Sequence, residues 1–206
     1  LPAMRRLLAD RSGLAPHGID RWVGFWLALH DLGKFAEAFQ GQCPDVFETL
    51  RGREPDPGKP YTLRHDSLGM LFWTEVLREH ITDAGWFGDR SLDLADGLDF
   101  WARACTGHHG QPPTEADHWR QHFNAREDGA AALAFVDAMR GQFIDADTAA
   151  AIAVFDPIEF WRASRELSWW LAGLTVLADW LGSNTDFFPY CSEAMPPADY
   201  WPHARR

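Results

Sequence analysis

Apolar residues recur at steps of three and four positions through nearly every long segment of the chain. Sustained alternation of apolar and polar residues, which marks half-buried strands, is rare. This spacing predicts an all-α fold, because it places the apolar side chains on one face of each helix. The predicted helices are residues 1–10, 20–30, 33–41, 65–82, 95–109, 128–143, 145–153 and 158–183.

Proline and glycine interrupt this pattern and predict where the helices are joined. Residues 51–64 contain three prolines, and residues 110–113 follow the end of a predicted helix, so both segments are predicted loops. Residues 189–206 contain four prolines and end in two arginines, which predicts a linker. Residues 1–188 then form one domain. Because residue 1 is Leu, we expect this domain to be truncated at its N-terminus.

The composition is that of a globular domain, with 46% hydrophobic and 14% aromatic residues among 206. The longest apolar run is shorter than the roughly 20 residues of a membrane-spanning helix, so no membrane segment is predicted. Three cysteines without a CxxC pair favour a reducing cytoplasm. With 30 acidic and 19 basic residues the net charge is −11, which argues against general electrostatic capture of nucleic acid. Metal ions or another domain would have to supply positive charge.

The first candidate site residues lie where the predicted helix 20–30 ends. Counting back from His30 by three and four reaches only apolar residues, which directs His30 towards the core. Gly33 is a natural helix stop, so His30 and Asp31 are expected at the C-terminal end of a buried helix. Lys34 has two interpretations, a helix-end lysine that binds backbone carbonyls or a lysine that binds phosphate.

Three further histidines lie at the ends of predicted helices. His65 begins the helix 65–82 on its apolar stripe, and the adjacent His108 and His109 end the helix 95–109. Two neighbouring imidazoles that enter a core are costly unless a hydrogen bond or a ligand satisfies them. The pair therefore favours a metal site more than a single histidine would.

Asp179 is the one charged residue of the segment 169–183. This segment is apolar nearly all round and is therefore expected at the centre of the bundle. Asp179 has two interpretations. It faces solvent on a thin stripe with Ser168, Thr175 and Ser183, or it is buried and requires a cation.

Four imidazoles and two carboxylates are thus candidates for one site: His30, Asp31, His65, His108, His109 and Asp179. Such a mixed nitrogen and oxygen set suits divalent transition metals, and a carboxylate can bridge two ions. Two ions about 3.5–4 Å apart can activate water and stabilise the leaving oxygen in phosphoester hydrolysis.

The motifs that carry these residues resemble a known family. In order and spacing, residues 29–35 (LHDLGKF), His65 with Gly69, residues 106–110 (TGHHG) and residues 177–183 (LADWLGS) resemble the HD nuclease domain of the CRISPR-associated helicase-nuclease of type I systems. The first motif marks the wide HD phosphohydrolase superfamily, whereas the last two are more specific to the CRISPR enzyme. The resemblance covers nearly the whole chain.

The resemblance implies an HD-domain helical bundle that degrades single-stranded DNA with two divalent metal ions. The candidate ions are Fe, Mn, Ni or Co, with Mg as a further candidate. The implied partners are single-stranded DNA, helicase domains of the same polypeptide or of a separate subunit, and an RNA-guided CRISPR surveillance complex. No membrane partner is expected. Proteins of this family carry a further histidine upstream of the first motif, so we expect one metal site of this fragment to be incomplete.

The resemblance also implies a role for each candidate residue. Asp31 would bridge the ions, and Lys34 would stabilise the phosphate, so these two residues are the expected catalytic groups. The other residues divide between the ions, with His30 and Asp179 on one and His65, His108 and His109 on the other.

Two other functions are compatible with the same motifs. An HD phosphohydrolase would use the same metals on nucleotides or cyclic nucleotides. A non-catalytic HD domain would dock a helicase onto a surveillance complex, although such a domain is expected to have lost ligands, and every internal motif position is filled here. Fold and superfamily together do not fix the substrate.

Overall fold

Helices make up most of the described chain, which confirms the predicted all-α class. The computed structural model describes residues 14–188, together with Arg6, Ala9, Asp10 and Asp199. The helices are α1 (Pro16–Ala28), α2 (Glu37–Gln40), α3 (Pro44–Arg51), α4 (His65–Phe72), α5 (Arg78–Asp83), α6 (Ser91–Thr106), α7 (Ala130–Phe143), α8 (Ala146–Ala153) and α9 (Pro157–Gly182). Among the described residues, the one strand is the four-residue β1 (Trp86–Asp89).

Short turns of other helical types connect these elements. Two are 3₁₀ turns, Leu32–Phe35 and Trp119–Gln121. Two are π turns, of which Trp73–Leu77 joins α4 to α5 and Ala125–Gly129 leads into α7. The predicted helix 65–82 is therefore α4 and α5 with a π turn between them.

The predicted helices 128–143, 145–153 and 158–183 agree with α7, α8 and α9 within two residues at each end. The predicted helix 95–109 is α6, which begins four residues earlier and ends three residues earlier. Residues 52–64 and 110–113 are loops, as their prolines predict. Most of the predicted helix 1–10 and of the predicted linker 189–206 lies outside the described residues.

The predicted helix 20–30 is α1, which begins four residues earlier and ends two residues earlier. Helix α1 stops at Ala28, so His30 and Asp31 lie on the turn that follows it. The reason is local, because the ring of His30 donates from Nδ1 to the carbonyl of Leu27 at 2.8 Å. In a continuing helix that carbonyl would accept the backbone N–H of Asp31.

Two other segments also differ from the prediction. The predicted helix 33–41 is a 3₁₀ turn followed by the one-turn helix α2. Helix α3 was not predicted, because only Phe47 of its apolar residues is buried, whereas Val46 and Leu50 are exposed. A helix with so narrow an apolar stripe leaves little periodicity in the sequence.

The core is built around α1 and is rich in aromatic side chains. Trp22 and Trp26 of α1 are buried, and their rings meet edge to face with centroids 5.6 Å apart. Trp101 of α6 contacts Trp22 at 5.6 Å, and Trp73 contacts Trp26 at 5.4 Å. Such tilted pairs are favourable geometries for aromatic rings and fix the helices relative to each other.

Helix α9 does not occupy the centre of the bundle, contrary to the sequence-based expectation. It packs along α6, and α1 takes the central place against α6, α7, α8 and α9. The outer face of α9 is apolar but exposed, with Trp169 at 83% and Trp180 at 74% relative exposure. An apolar circumference predicts burial only when every face has a neighbour.

Within the described part of the chain, every helix is too short or too polar to cross a bilayer.

Candidate metal centre

The turn after α1 supplies the first group of site residues. Nε2 of His30 lies 3.1 Å from Oδ2 of Asp31 and 3.7 Å from Oδ1 of Asp179 on α9. Lys34 donates from Nζ to the same Oδ2 of Asp31 at 2.7 Å. Asp179 therefore faces the His30 turn, and its role as a ligand stays a prediction. It is half-buried there, although Ser183 of the alternative stripe also lies within 3.4 Å of its Oδ1.

Three backbone segments meet behind this turn, at Gly33, Gly69 and Thr106. A Cβ at Gly33 would overlap the carbonyl oxygen of His65 and lie 2.7 Å from the backbone nitrogen of Gly69. A Cβ at Gly69 would lie 3.1 Å from Cγ2 of Thr106. Glycine at these positions lets the His30 turn, the start of α4 and the end of α6 approach one another, which brings their histidines together.

The second group consists of His65 at the start of α4 and of His108 and His109 just after α6. Nε2 of His65 lies 3.3 Å from Nε2 of His108 and 2.9 Å from Nε2 of His109. Nδ1 of His108 faces the carbonyl of Cys105 at 3.3 Å. Because a carbonyl can only accept, Nδ1 carries the proton in this contact, and Nε2 of neutral His108 keeps a lone pair that points into the site.

Asp31 lies between the two groups. Its Oδ2 faces His30 and Lys34, whereas its Oδ1 lies 3.5 Å from Nε2 of His65 and 3.7 Å from Nε2 of His108. This Oδ1 atom is buried, and no group in the described part of the chain forms a hydrogen bond with it. A buried carboxylate oxygen without a hydrogen bond is costly, so the arrangement lacks a positively charged partner at this point.

The donor atoms fit divalent metal ions. Two groups could each hold one, namely His65, His108 and His109, and His30, Asp31 and Asp179, with the donor atoms of each group within 4.8 Å of one another. Imidazole nitrogens together with carboxylate oxygens suit transition metals. The contacts of His30 and His108 with backbone carbonyls fix their rings in the way that ring N–H bonds orient metal-ligating histidines.

Two histidines of the second group, His65 and His108, are neutral at pH 7. Burial, together with the charges of Lys34 and the neighbouring histidines, outweighs the pull of Asp31 and lowers the pKa of His65 to about 4. Burial likewise lowers the pKa of His108. Neutral imidazole is the form that binds metals.

In the first group, His30 and Asp31 shift each other's pKa towards the charged forms. Burial lowers the pKa of His30, but the hydrogen bond and charge of Asp31 outweigh it, so this pKa is raised. Burial raises the pKa of Asp31, but His30 and Lys34 outweigh it and hold this pKa well below its ordinary value. Asp31 is therefore ionised, which is the form in which a carboxylate binds a metal ion.

All seven residues singled out from the sequence converge: His30, Asp31, Lys34, His65, His108, His109 and Asp179. Sequence reasoning missed Tyr61, whose hydroxyl accepts the backbone N–H of His65 at 3.0 Å from the proline-rich loop. It also missed how close the backbones approach at Gly33, which it interpreted as a helix stop. The spacing of residue types along the sequence does not indicate either the Tyr61 hydrogen bond or the close approach at Gly33. Cys105 stays outside the site, because its thiol donates to the carbonyl of Ala102.

A helical bundle with a His-Asp turn at the centre of a histidine and carboxylate cluster defines an HD-type domain. The sequence profile of the family described as "Cas3, HD domain" matches residues 1–188, and the chain belongs to this CRISPR-associated nuclease family. The chain is 25% identical over 207 residues to the CRISPR-associated endonuclease/helicase Cas3 of Escherichia coli (strain K12). That alignment covers 90% of this chain but only 22% of the relative. No solved structure matches the chain.

Proposed function

We propose that this domain is a metal-dependent nuclease that hydrolyses phosphodiester bonds of single-stranded DNA in CRISPR interference. The observation that carries the proposal is the position of Asp31 between two donor groups, with its buried Oδ1 free of hydrogen bonds in the described chain. The similarity to a protein whose name includes endonuclease supports the same reaction.

The donor groups divide the proposed ligands into two sets around Asp31. His30 and Asp179 would hold one divalent ion and His65, His108 and His109 the other, with Asp31 shared between them. Bound Mn, Fe, Ni, Co or Mg ions would supply an activated water and positive charge beside the scissile phosphate. The site is compatible with one ion or two.

The side chains of the chain itself have separate roles in this proposal. The carbonyls of Leu27 and Cys105 orient His30 and His108, so these rings need no reorganisation when a ligand binds. Lys34 is 42% exposed and reaches Asp31 from the solvent side. Its ammonium group can therefore turn to a phosphate oxygen and stabilise the charge that develops there.

We further propose that residues 1–188 are the nuclease domain and that residues 189–206 lead to helicase domains. The chain spans about a fifth of the endonuclease/helicase that it resembles, which supports a helicase partner in the same or a separate polypeptide. Recruitment by an RNA-guided surveillance complex and a cytoplasmic location stay predictions from the sequence.

Cleavage of circular single-stranded DNA tests the proposed reaction. The 206-residue chain with Mn²⁺ should linearise and then degrade the circle, and a chelator should stop the reaction. Asp31→Ala should lower the rate at least about 1,000-fold, because it removes the carboxylate common to both groups. Lys34→Ala should lower kcat about 10- to 100-fold while the affinity for Mn²⁺ holds within a few-fold.

Asp137→Ala is the matched control, since Asp137 also contacts a histidine, His80 at 3.1 Å, but lies outside the donor groups. It should cleave like the wild type. Cleavage that survives Asp31→Ala, or that needs no metal, would overturn the proposal. Hydrolysis of nucleotides but not of DNA would instead favour a small-molecule phosphohydrolase.

A further inference from the structure

An exposed surface of tryptophan and arginine side chains lies along α9 and the adjacent part of α6. An open cavity of about 610 Å³ is lined by Trp161, Arg162, Arg165, Trp169 and Trp170, together with Glu166 and Leu167. The guanidinium of Arg165 stacks over the ring of Trp161, 5.5 Å from its centroid. We name these five aromatic and arginine residues, with Arg103 and Phe100 of α6, the α9 track.

A second cavity adjoins the first. It measures about 430 Å³ and shares Trp169 with the first cavity. Its other walls include Arg103, Ala172 and Val176. Trp169 is 83% exposed, so its ring is the largest accessible aromatic face at the point where the two cavities meet.

The second cavity borders the chain segment that carries the histidine pair of the candidate metal centre. Two of its lining residues, Gly107 and Gly110, flank the histidine pair His108 and His109 in the chain. Trp169 and Asp179 lie on the same helix, ten residues apart, which corresponds to about 15 Å along its axis. At about 3.4 Å per nucleotide along one strand, four to five nucleotides cover that distance.

The charge of the track differs from that of the whole chain. The chain has a net charge of −11, whereas three arginines, Arg103, Arg162 and Arg165, and one carboxylate, Glu166, line these two adjoining cavities. Arg162 also pairs with the exposed Glu159 at 2.7 Å, and Arg103 lies 3.9 Å from the exposed Glu115. Exposed pairs of this kind contribute little and exchange readily for phosphate.

We propose that the α9 track binds a single strand of DNA next to the metal centre, with bases stacked on Trp169 and its aromatic neighbours and phosphates on the arginines. Flat aromatic faces interleaved with cations are the usual means of holding single strands without reading their sequence. The three arginines favour a polyanion over an apolar protein partner, because arginines bind phosphates and release their counterions. This inference rests on the proposed nuclease function and names the path of its substrate.

Binding of a fluorescein-labelled oligothymidylate, measured by anisotropy with a chelator present, tests the track without cleavage. Trp169→Ala should weaken binding about tenfold, because it removes the central stacking surface. Arg165→Ala should weaken binding several-fold and flatten its dependence on salt, because fewer counterions are released. Trp169→Phe should restore most of the affinity, which a general disturbance of α9 would not allow.

Two controls match these variants in chemistry but lie elsewhere. Leu50→Ala removes an exposed apolar side chain from α3, and Arg126→Ala removes an exposed arginine from the π turn before α7. Both should bind DNA within twofold of the wild type. With Mn²⁺ present, Trp169→Ala should raise KM for the oligonucleotide more than it lowers kcat, as expected for a residue that holds the strand away from the reacting atoms.

The outcomes separate the track from the nuclease function. If the wild type cleaves DNA and Trp169→Ala binds and cleaves equally well, the track is overturned and the nuclease function stands. If binding depends on Trp169 but the wild type cleaves nothing, the track stands and the nuclease function falls. Equal losses in Trp169→Ala and Leu50→Ala, or no binding of DNA by the wild type, would also overturn the track.

Discussion

The structure contains two clusters of ionisable side chains that differ in how completely their charges are satisfied. The first is the candidate metal centre. The second, which we name the ion network, joins α2, α3 and the π turn before α7, and its members are Glu37, Arg51, Arg53, Glu127 and Asp128.

Every buried charge of the ion network faces an opposite charge. Glu37 accepts both arms of Arg53, at 2.7 and 3.0 Å. Asp128 accepts Arg51 at 2.9 Å and the backbone N–H groups of Glu37 and Asn124 at 2.8 and 2.7 Å. The buried carboxylates of Glu37 and Asp128 have hydrogen-bonding partners within the protein, so we interpret the network as structural.

The metal centre shows the opposite pattern. Nε2 of His65 faces Nε2 of His109 at 2.9 Å, so at most one of these nitrogens donates while the other keeps its lone pair. Oδ1 of Asp31 has no hydrogen bond from the described chain. Unsatisfied hydrogen-bond donors and acceptors, rather than the number of charged residues, therefore distinguish a ligand site from a structural network.

Removal of Asp128 should give the largest loss of stability. Asp128→Ala leaves Arg51 and two backbone N–H groups without their shared acceptor, so the free energy of unfolding should fall by about 3–5 kcal/mol. Urea denaturation followed by circular dichroism measures this loss. Asp128→Asn keeps one acceptor oxygen and should lose less stability. It can be measured in place of Asp128→Ala if that variant does not fold.

His109→Ala supplies the contrasting half of this prediction. Its side chain is exposed, so the free energy of unfolding without metal should change by less than about 1 kcal/mol. The affinity for Mn²⁺, measured by calorimetry, should fall at least about tenfold. A metal affinity that falls in Asp128→Asn but not in His109→Ala would reverse the assignment of the two clusters.

A methyl group at Gly33 should disturb the metal centre through the backbone. Gly33→Ala places a Cβ against the carbonyl of His65, so α4 must move away from the turn that carries His30. We expect a loss of about 2 kcal/mol in the free energy of unfolding and weaker binding of Mn²⁺.

Gly141→Ala is the matched control for that substitution. Gly141 lies inside α7, and a Cβ there would meet nothing within 4 Å. The substitution should therefore stabilise the helix by up to about 1 kcal/mol and leave the affinity for Mn²⁺ unchanged. Equal effects of the two substitutions would show that the close approach at Gly33 does not hold the site together.

The sequence predicted the all-α fold class and singled out residues that the structure brings together. The histidines and carboxylates at the ends of separate predicted helices converge, as the apolar stripes that precede them indicated. The first helix ends at Ala28, two residues before its predicted end, because a side-chain hydrogen bond from His30 ends the helix earlier than Gly33 would. Local patterns do not include such competition between side chain and backbone.

The ion network and the exposed face of α9 were out of reach for another reason. Glu37 and Asp128 are 91 positions apart, so nothing local relates them. The apolar circumference of α9 was interpreted as burial, since periodicity does not state how many neighbours a helix has. The structure leaves Trp169 and Trp180 exposed instead.

Acid should weaken the ion network through Glu37, and this is the smallest effect that we predict. The hydrogen bonds and charge of Arg53 outweigh burial and hold the pKa of Glu37 below its ordinary value of 4.5. A lowered carboxyl pKa contributes stability that is present above 4.5 and is lost as the pH falls through the lowered pKa. Burial raises the pKa of Asp128 instead, so Asp128 opposes this trend.

Comparison of the wild type with Glu37→Gln isolates the contribution of Glu37. Protonation of Asp128 and of the site histidines is common to both proteins and cancels to first order in their difference. At neutral pH the wild type should be more stable by about 1 kcal/mol, measured by urea denaturation. That gap should close as the pH falls below about 4.5, because Glu37 then binds a proton and loses its charge. A gap that stays constant down to acid unfolding would mean that the stability difference does not depend on the charge of Glu37.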